Sequence, residues 1–222
     1  MTPFYFGTRQ RRLFGVYDPA QKIGKAARAA VICHPWGSEQ IHAYRTLRQL
    51  AARLSQDGFH VLRFDYYGTG DSAGDTGDND FAGSRSDIET AMAELKDMTG
   101  VARLTLVGLR LGACLAADAC AGRAEEIDTL VLWDPLTAGD PAGPGPAGSA
   151  EVPRNFTNVD LSSLAAELPS RTLVLLTQDG MAGAIGSLAV EHVASAPPWI
   201  EERMQTGAIP VNVLQHIVHW LR

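Results

Sequence analysis

Along this chain, short runs rich in β-branched and aromatic residues alternate with longer segments whose apolar positions recur every three to four residues. Phe4–Phe6 and Leu13–Tyr17 are close enough to pair as an antiparallel hairpin at one sheet edge. Ala29–Cys33, His60–Tyr66, Arg103–Val107, Thr129–Trp133, Leu173–Thr177 and Trp199–Met204 complete a predicted set of about eight strands. Helical spacing fills the intervals. Within Ile41–Gln56, Tyr44, Leu47, Leu50, Ala51 and Leu54 share one face, and Asp57-Gly58 supplies a stop. Arg85–Met98, ended by Gly100, and Leu111–Ala121 are further helices. A closing helix runs from Pro210, with Leu214, Ile217, Val218 and Leu221 as its apolar stripe. This alternation predicts a mostly parallel sheet with helices on both faces.

One stretch breaks the rhythm. Ala138–Ala150 is loaded with Gly, Pro and Ala and holds no large apolar residue, and it reads as a flexible loop. With no internal repeat and no second apolar block, residues 1–222 read as one domain. A formal charge of −6 argues against nucleic acid, which demands clustered Lys and Arg. No apolar run reaches the length of a membrane span and the N-terminus lacks a leader pattern, so a cytoplasmic protein is expected. Cys33, Cys114 and Cys120 lie in apolar contexts, without metal-ligand spacing, as suits a reducing compartment. No metal or organic cofactor is indicated.

Candidate chemistry gathers at the ends of the predicted strands. Val107-Gly108-Leu109-Arg110-Leu111-Gly112-Ala113 joins a strand to a helix. That is the setting of the Gly-x-Ser-x-Gly nucleophile elbow of α/β-hydrolases, with arginine in place of serine. His34-Pro35-Trp36-Gly37 resembles the His-Gly loop that supplies an oxyanion-hole amide, and Asp65-Tyr66-Tyr67-Gly68-Thr69-Gly70-Asp71-Ser72 resembles a turn common in lipases, esterases and serine aminopeptidase-like hydrolases. Asp179, beyond a strand end, matches the position of the triad acid. Order and spacing follow the α/β-hydrolase fold over nearly the whole chain, with the loop 138–150 standing where relatives insert a lid, so any lid is minimal.

A narrower resemblance rests on His34-Pro35, Gly70-Asp71-Ser72-Ala73-Gly74, Gly108-Leu109-Arg110-Leu111-Gly112-Ala113 and Leu132-Trp133-Asp134-Pro135. Together these are similar to the exosortase A system-associated hydrolase type 2 group, whose members tend to carry Gly-Leu-Arg at the elbow. The resemblance implies a bacterial protein from a biosynthetic or surface-polymer setting and no particular reaction.

Arginine cannot serve as the nucleophile, because its guanidinium stays protonated and has no free lone pair. The expected triad histidine is also missing from Gln205–Pro210, and His216 and His219 fall inside the closing helix. Three roles for Arg110 stay open: gripping a carboxylate or phosphate, plugging the pocket by pairing with Asp179 or Asp134, or stabilising a transition state. His34, Asp134 and Asp179 join Arg110 as candidate catalytic groups. Trp36, Gly37, Glu39, His42 and Leu111 are candidate substrate contacts. Ser72 reads as a turn stabiliser, and Cys33 as core. Two functions are expected to compete. One is an enzyme of unconventional mechanism, thioesterase-, transferase- or cyclase-like, acting on an acyl or carboxylate-bearing small molecule, free or on a carrier protein. The other is a non-catalytic pseudohydrolase that binds a partner in a biosynthetic assembly. A homodimer is compatible with either.

Overall fold

The computed structural model describes residues 1–22, 24, 26–123, 125–136, 160–177, 188–199 and 209–222. In chain order its elements are β1 (Thr2–Gly7), β2 (Arg12–Asp18), β3 (Arg28–Cys33), α1 (Ser38–Gln56), β4 (Phe59–Phe64), α2 (Phe81–Thr99) and β5 (Leu104–Leu109). Then come α3 (Leu111–Cys120), β6 (Ile127–Trp133), the single turn α4 (Leu161–Leu164), β7 (Arg171–Leu176), β8 (Val190–His192) and α5 (Val211–Trp220). The strands form one eight-stranded sheet in the order β1-β2-β4-β3-β5-β6-β7-β8. β1 and β2 pair antiparallel, as do β2 and β4, and the rest of the sheet is parallel. This is the expected α/β-hydrolase arrangement, with its N-terminal hairpin at one edge.

Side-chain alternation in the central strands divides the interior into two layers. Val31, Leu62, Leu106, Leu130 and Val174 face α2 and α3, where Ile88, Met92, Leu95 and Leu115 meet them. Their neighbours Ile32, Val61, Val107, Val131 and Leu175 face α1 and α5, against Leu47, Leu50, Leu54, Leu214 and Ile217. Both faces of these strands are covered, which is why they read as continuous apolar runs rather than alternating ones.

Two expectations need correction. Among the described residues the last strand is β8, at Val190–His192, and Trp199, expected to open a strand, is a buried turn residue. At three residues, half-exposed and carrying Glu191, β8 has too weak an apolar signal to stand out. The remainder of the expected strand, 200–204, lies outside the described residues, as does the expected flexible loop 138–150. The second correction concerns α2, which starts four residues before the expected Arg85: Asp80 caps it, its carboxylate accepting the Gly83 amide at 2.7 Å. Among the described residues, no helix is long and apolar enough to cross a membrane.

Candidate functional site

At the C-terminal end of β5 the chain makes a sharp turn into α3. Arg110, the turn residue, has φ 57° and ψ −123°, a backbone conformation that a side chain-bearing residue adopts only under constraint. The constraint comes from both sides. The Arg110 amide donates to the Trp133 carbonyl at 3.0 Å, which ties the turn to the end of β6. A Cβ at Gly108 would collide with the backbone of Gly112 and Ala113, and one at Gly112 with the carbonyl oxygens of Cys33 and His34. The two glycines therefore let strand, helix and His34 loop approach to backbone contact, and the residue between them is forced into the site.

The Arg110 side chain does not reach solvent: the residue is 1% exposed. Its Nε donates to Glu39 Oε1 at 3.2 Å, its Nη1 lies 3.5 Å from the Asp134 carbonyl oxygen, and its Cζ sits 5.0 Å from the centre of the Trp199 ring. A carboxylate, a carbonyl and an aromatic face thus surround one guanidinium, all favourable to a buried cation. Glu39 comes from the first turn of α1, which begins after Gly37 at φ 61°. Trp36 and Leu111 are buried beside this turn and at the start of α3, while His42 is half-buried one turn further along α1.

Asp134, at the end of β6, also has a positive φ, 42°. Its carboxylate turns to β7: Oδ1 accepts the Thr177 amide at 2.8 Å and Oδ2 the Thr177 hydroxyl at 2.6 Å. Burial raises the Asp134 carboxyl above its ordinary value, and the Thr177 bonds and the charge of Arg110 only partly offset this. Among the described residues Asp134 thus offers Arg110 its carbonyl, and the carboxylate that meets the guanidinium is that of Glu39. Asp179 lies outside the described residues.

The His34 ring turns away from the elbow. Its backbone abuts Gly112, but its ring packs on Tyr66, with centroids 4.5 Å apart, and on Phe64. The contact of Nδ1 with the Pro35 carbonyl oxygen, at 2.6 Å, assigns the proton to Nδ1, because a carbonyl can only accept. Burial pushes the His34 pKa down, while the nearby Asp65 charge and the Pro35 bond oppose the shift.

Ser72 is committed to structure: its hydroxyl donates to the Asp65 carbonyl at 2.6 Å and accepts the Phe14 amide at 2.8 Å. Cys33 is fully buried, and burial raises its thiol to about 12, which removes it as a thiolate. His216 bonds Glu191 at 2.7 Å on the α5 face of the sheet, and His219 is exposed. Sequence reasoning missed two participants: Trp199 was assigned to a strand, and Thr177 carries no motif of its own.

Comparison with known proteins agrees with this geometry. The family model described as serine aminopeptidase, S33, matches residues 25–172. A predicted CIB-like hydrolase from Thermoplasma acidophilum superposes with a TM-score of 0.67 at 16% identity, over 99% of this chain and 97% of that one. A lidless α/β serine hydrolase from Xanthomonas campestris gives 0.64 at 18% identity, over 100% and 93%. Est1E from Butyrivibrio proteoclasticus gives 0.69 at 13% identity, over 99% and 97%. Identities this low establish a shared fold and no shared reaction. No curated protein sequence matches the chain.

Proposed function

The chain belongs to the serine aminopeptidase S33 family of α/β-hydrolases, and from that premise we propose that it is a non-hydrolysing member, one that binds rather than cleaves. The observation that carries this reading is Arg110. It occupies the nucleophile position, is 1% exposed, and has its charge met inside the protein by Glu39 and Trp199. Hydrolysis through an acyl-enzyme needs an attacking atom with a free pair and a base to deprotonate it. A guanidinium supplies neither. His34, whose backbone abuts the elbow at Gly112, directs its ring at Tyr66 and Phe64, and His216 is held by Glu191. Of the three roles open to Arg110, the plug fits best, with Glu39 as the carboxylate that meets it among the described residues. The narrower group resemblance would fit such a binding protein to a bacterial biosynthetic assembly, and three buried free cysteines support a reducing, cytoplasmic setting.

A second reading is favoured by one specific feature. The Glu39 side chain keeps 23% of its surface exposed while its partner keeps almost none. A substrate carboxylate could take Glu39's place on the guanidinium and bring an acyl or carboxylate-bearing intermediate, free or carrier-bound, to the elbow. Asp134 would then serve in proton transfer. Turnover of a panel of aryl esters and acyl thioesters by wild type, Arg110→Ala and Arg110→Ser separates the two. Wild-type activity no higher than that of either variant is the expected result. Wild-type turnover that disappears in Arg110→Ala would overturn the non-hydrolysing reading and establish the second.

A further inference from the structure

At the opposite ends of the strands from the elbow, where β3, β5, β6 and β7 begin, a cavity of about 300 Å³ lies beside the end of α5. Thr105 and Thr129, buried and in register across β5 and β6, form its floor, and Arg28, Arg103 and Arg171 stand round it. Arg28 opens β3 and Arg171 opens β7, two strands further along the sheet. Both guanidiniums nevertheless reach adjacent residues at the end of α5. Arg171 Nη2 donates to the Trp220 carbonyl at 2.6 Å, and Arg28 Nη1 to the Leu221 carbonyl at 3.4 Å. Each also lies over an aromatic ring, Arg28 Cζ 4.2 Å from the centre of Phe59 and Arg171 Cζ 4.9 Å from that of Trp220. Their charges are only partly met. Arg103 faces Asp128 at 3.5 Å, while Arg28 shares Asp57 with Arg222, at 3.5 and 2.9 Å. Arg171 meets no carboxylate among the described residues, so four guanidinium side chains face two carboxylate side chains. This surplus stands on a chain whose formal charge is −6.

We propose that this cavity is a binding site for a phosphate dianion, free or carried on a small molecule. Guanidinium forks match phosphate oxygens in pairs, and rings and carbonyls that hold the forks in place reduce the ordering that binding demands. A tetrahedral dianion can meet forks arriving from different strands and offset the surplus charge. A carboxylate is planar, brings a single charge and serves one fork. Capping α5 does not account for the cluster, because a carbonyl occupies only part of the donor set of Arg171. The carbonyl end of a helix repels anions, but Trp220 and Leu221 already spend their carbonyls on the guanidiniums. Asp128 is spent as well, on Arg103 and on the Thr129 hydroxyl at 3.1 Å. The volume falls at the low end of the roughly 300–1,000 Å³ of small-molecule sites, which favours a compact ligand. An adjoining groove lined by Lys22, Arg53 and Arg222 extends the positive field that draws an anion in. The site shares no residue with the elbow, and so stands whether or not the elbow is catalytic.

The test is equilibrium dialysis of the full chain against labelled inorganic phosphate and labelled glycerol 3-phosphate at fixed ionic strength, with acetate and glycerol as controls. Saturable binding is expected with a phosphate probe and with neither control. Saturation by inorganic phosphate alone assigns the free ion, and saturation by glycerol 3-phosphate assigns a phosphorylated small molecule. Arg171→Gln should weaken binding at least about tenfold, the worth of one charged hydrogen bond. Arg171→Lys, which keeps the charge and loses the fork, should weaken it less. Arg12→Gln removes the same charge from β2, away from the cavity, and should leave binding unchanged. Arg171 is exposed, so its variants should fold; if Arg171→Gln does not, Arg103→Gln decides in its place. No saturable binding of either phosphate probe, equal binding of acetate, unchanged affinity in Arg171→Gln, or an equal loss in Arg12→Gln would overturn the assignment.

Discussion

The elbow and the region beside the His34 ring lie at the ends of neighbouring strands, β5 and β3, and each buries a guanidinium. At the elbow a full charge is buried, yet it is surrounded by Glu39, the Asp134 carbonyl and the Trp199 ring. Beside the His34 ring the second guanidinium, Arg63, faces Asp18 at 3.6 Å, and Nε2 of His34 and Nε of Arg63 have no hydrogen-bond partner among the described residues. Physical chemistry reads the first as a structural ion pair and the second as a cost that the rest of the fold carries. A buried ion pair costs desolvation and holds together only when its geometry satisfies it. A buried acceptor without a donor forfeits a bond it had in water.

The sharpest way to break this contrast is at the elbow's frame. Gly112→Ala, which drives a Cβ into the Cys33 and His34 carbonyls, is expected to cost more than about 4 kcal/mol and to yield little folded protein on expression. Wild-type solubility and melting would show that the close approach is dispensable. Next in size is the ion pair. Arg110→Ala leaves Glu39 without its cation, and chemical denaturation should show a loss of about 3 kcal/mol, the low end for a buried pair because Glu39 touches solvent. Arg110→Gly removes the same charge but relieves the positive φ, so it should be less damaging by about 1 kcal/mol. If Arg110→Ala is neutral, the guanidinium is not structural and the non-hydrolysing reading weakens with it.

Ser72→Ala is a smaller test. It removes one donor and one acceptor from the turn and should cost about 1–2 kcal/mol, with no effect on ligand binding. The gentlest probe is Asp134→Asn, because an amide can still accept the Thr177 amide and donate to its hydroxyl. Burial raises the Asp134 carboxyl in the folded chain above its unfolded value, so the folded state holds the proton more tightly. That contribution is fully present below the ordinary carboxylate pKa and is lost as pH rises through the folded value. Denaturation midpoints measured from pH 4 upward should therefore fall less steeply in Asp134→Asn. Asp87, raised by burial for the same reason, keeps part of the slope. An unchanged profile would mean that Asp134 is ionised as readily folded as unfolded.

Much of this was legible in order and spacing alone. The sheet and its hairpin follow from apolar runs and turn residues, and the elbow from two glycines four apart between a strand and a helix. Ser72 as a turn stabiliser was legible too. That Glu39 meets Arg110 was not. Glu39 lies 71 residues away along the chain, and nothing local distinguishes it from any acidic residue in a first helical turn. Trp199 was misread for a related reason, since an isolated tryptophan beside prolines carries no period.

The sequence by itself determined the α/β frame, the elbow and the arginine at its tip, because periodicity and steric demands act on neighbouring residues. Only the tertiary structure decided that this guanidinium is enclosed, that Glu39 helps to enclose it, and that the His34 ring packs on Tyr66 and Phe64. Those outcomes depend on how α1, β4 and the segment carrying Trp199 pack against one another. A charge's surroundings, unlike its place in the chain, are assembled from residues far apart in sequence.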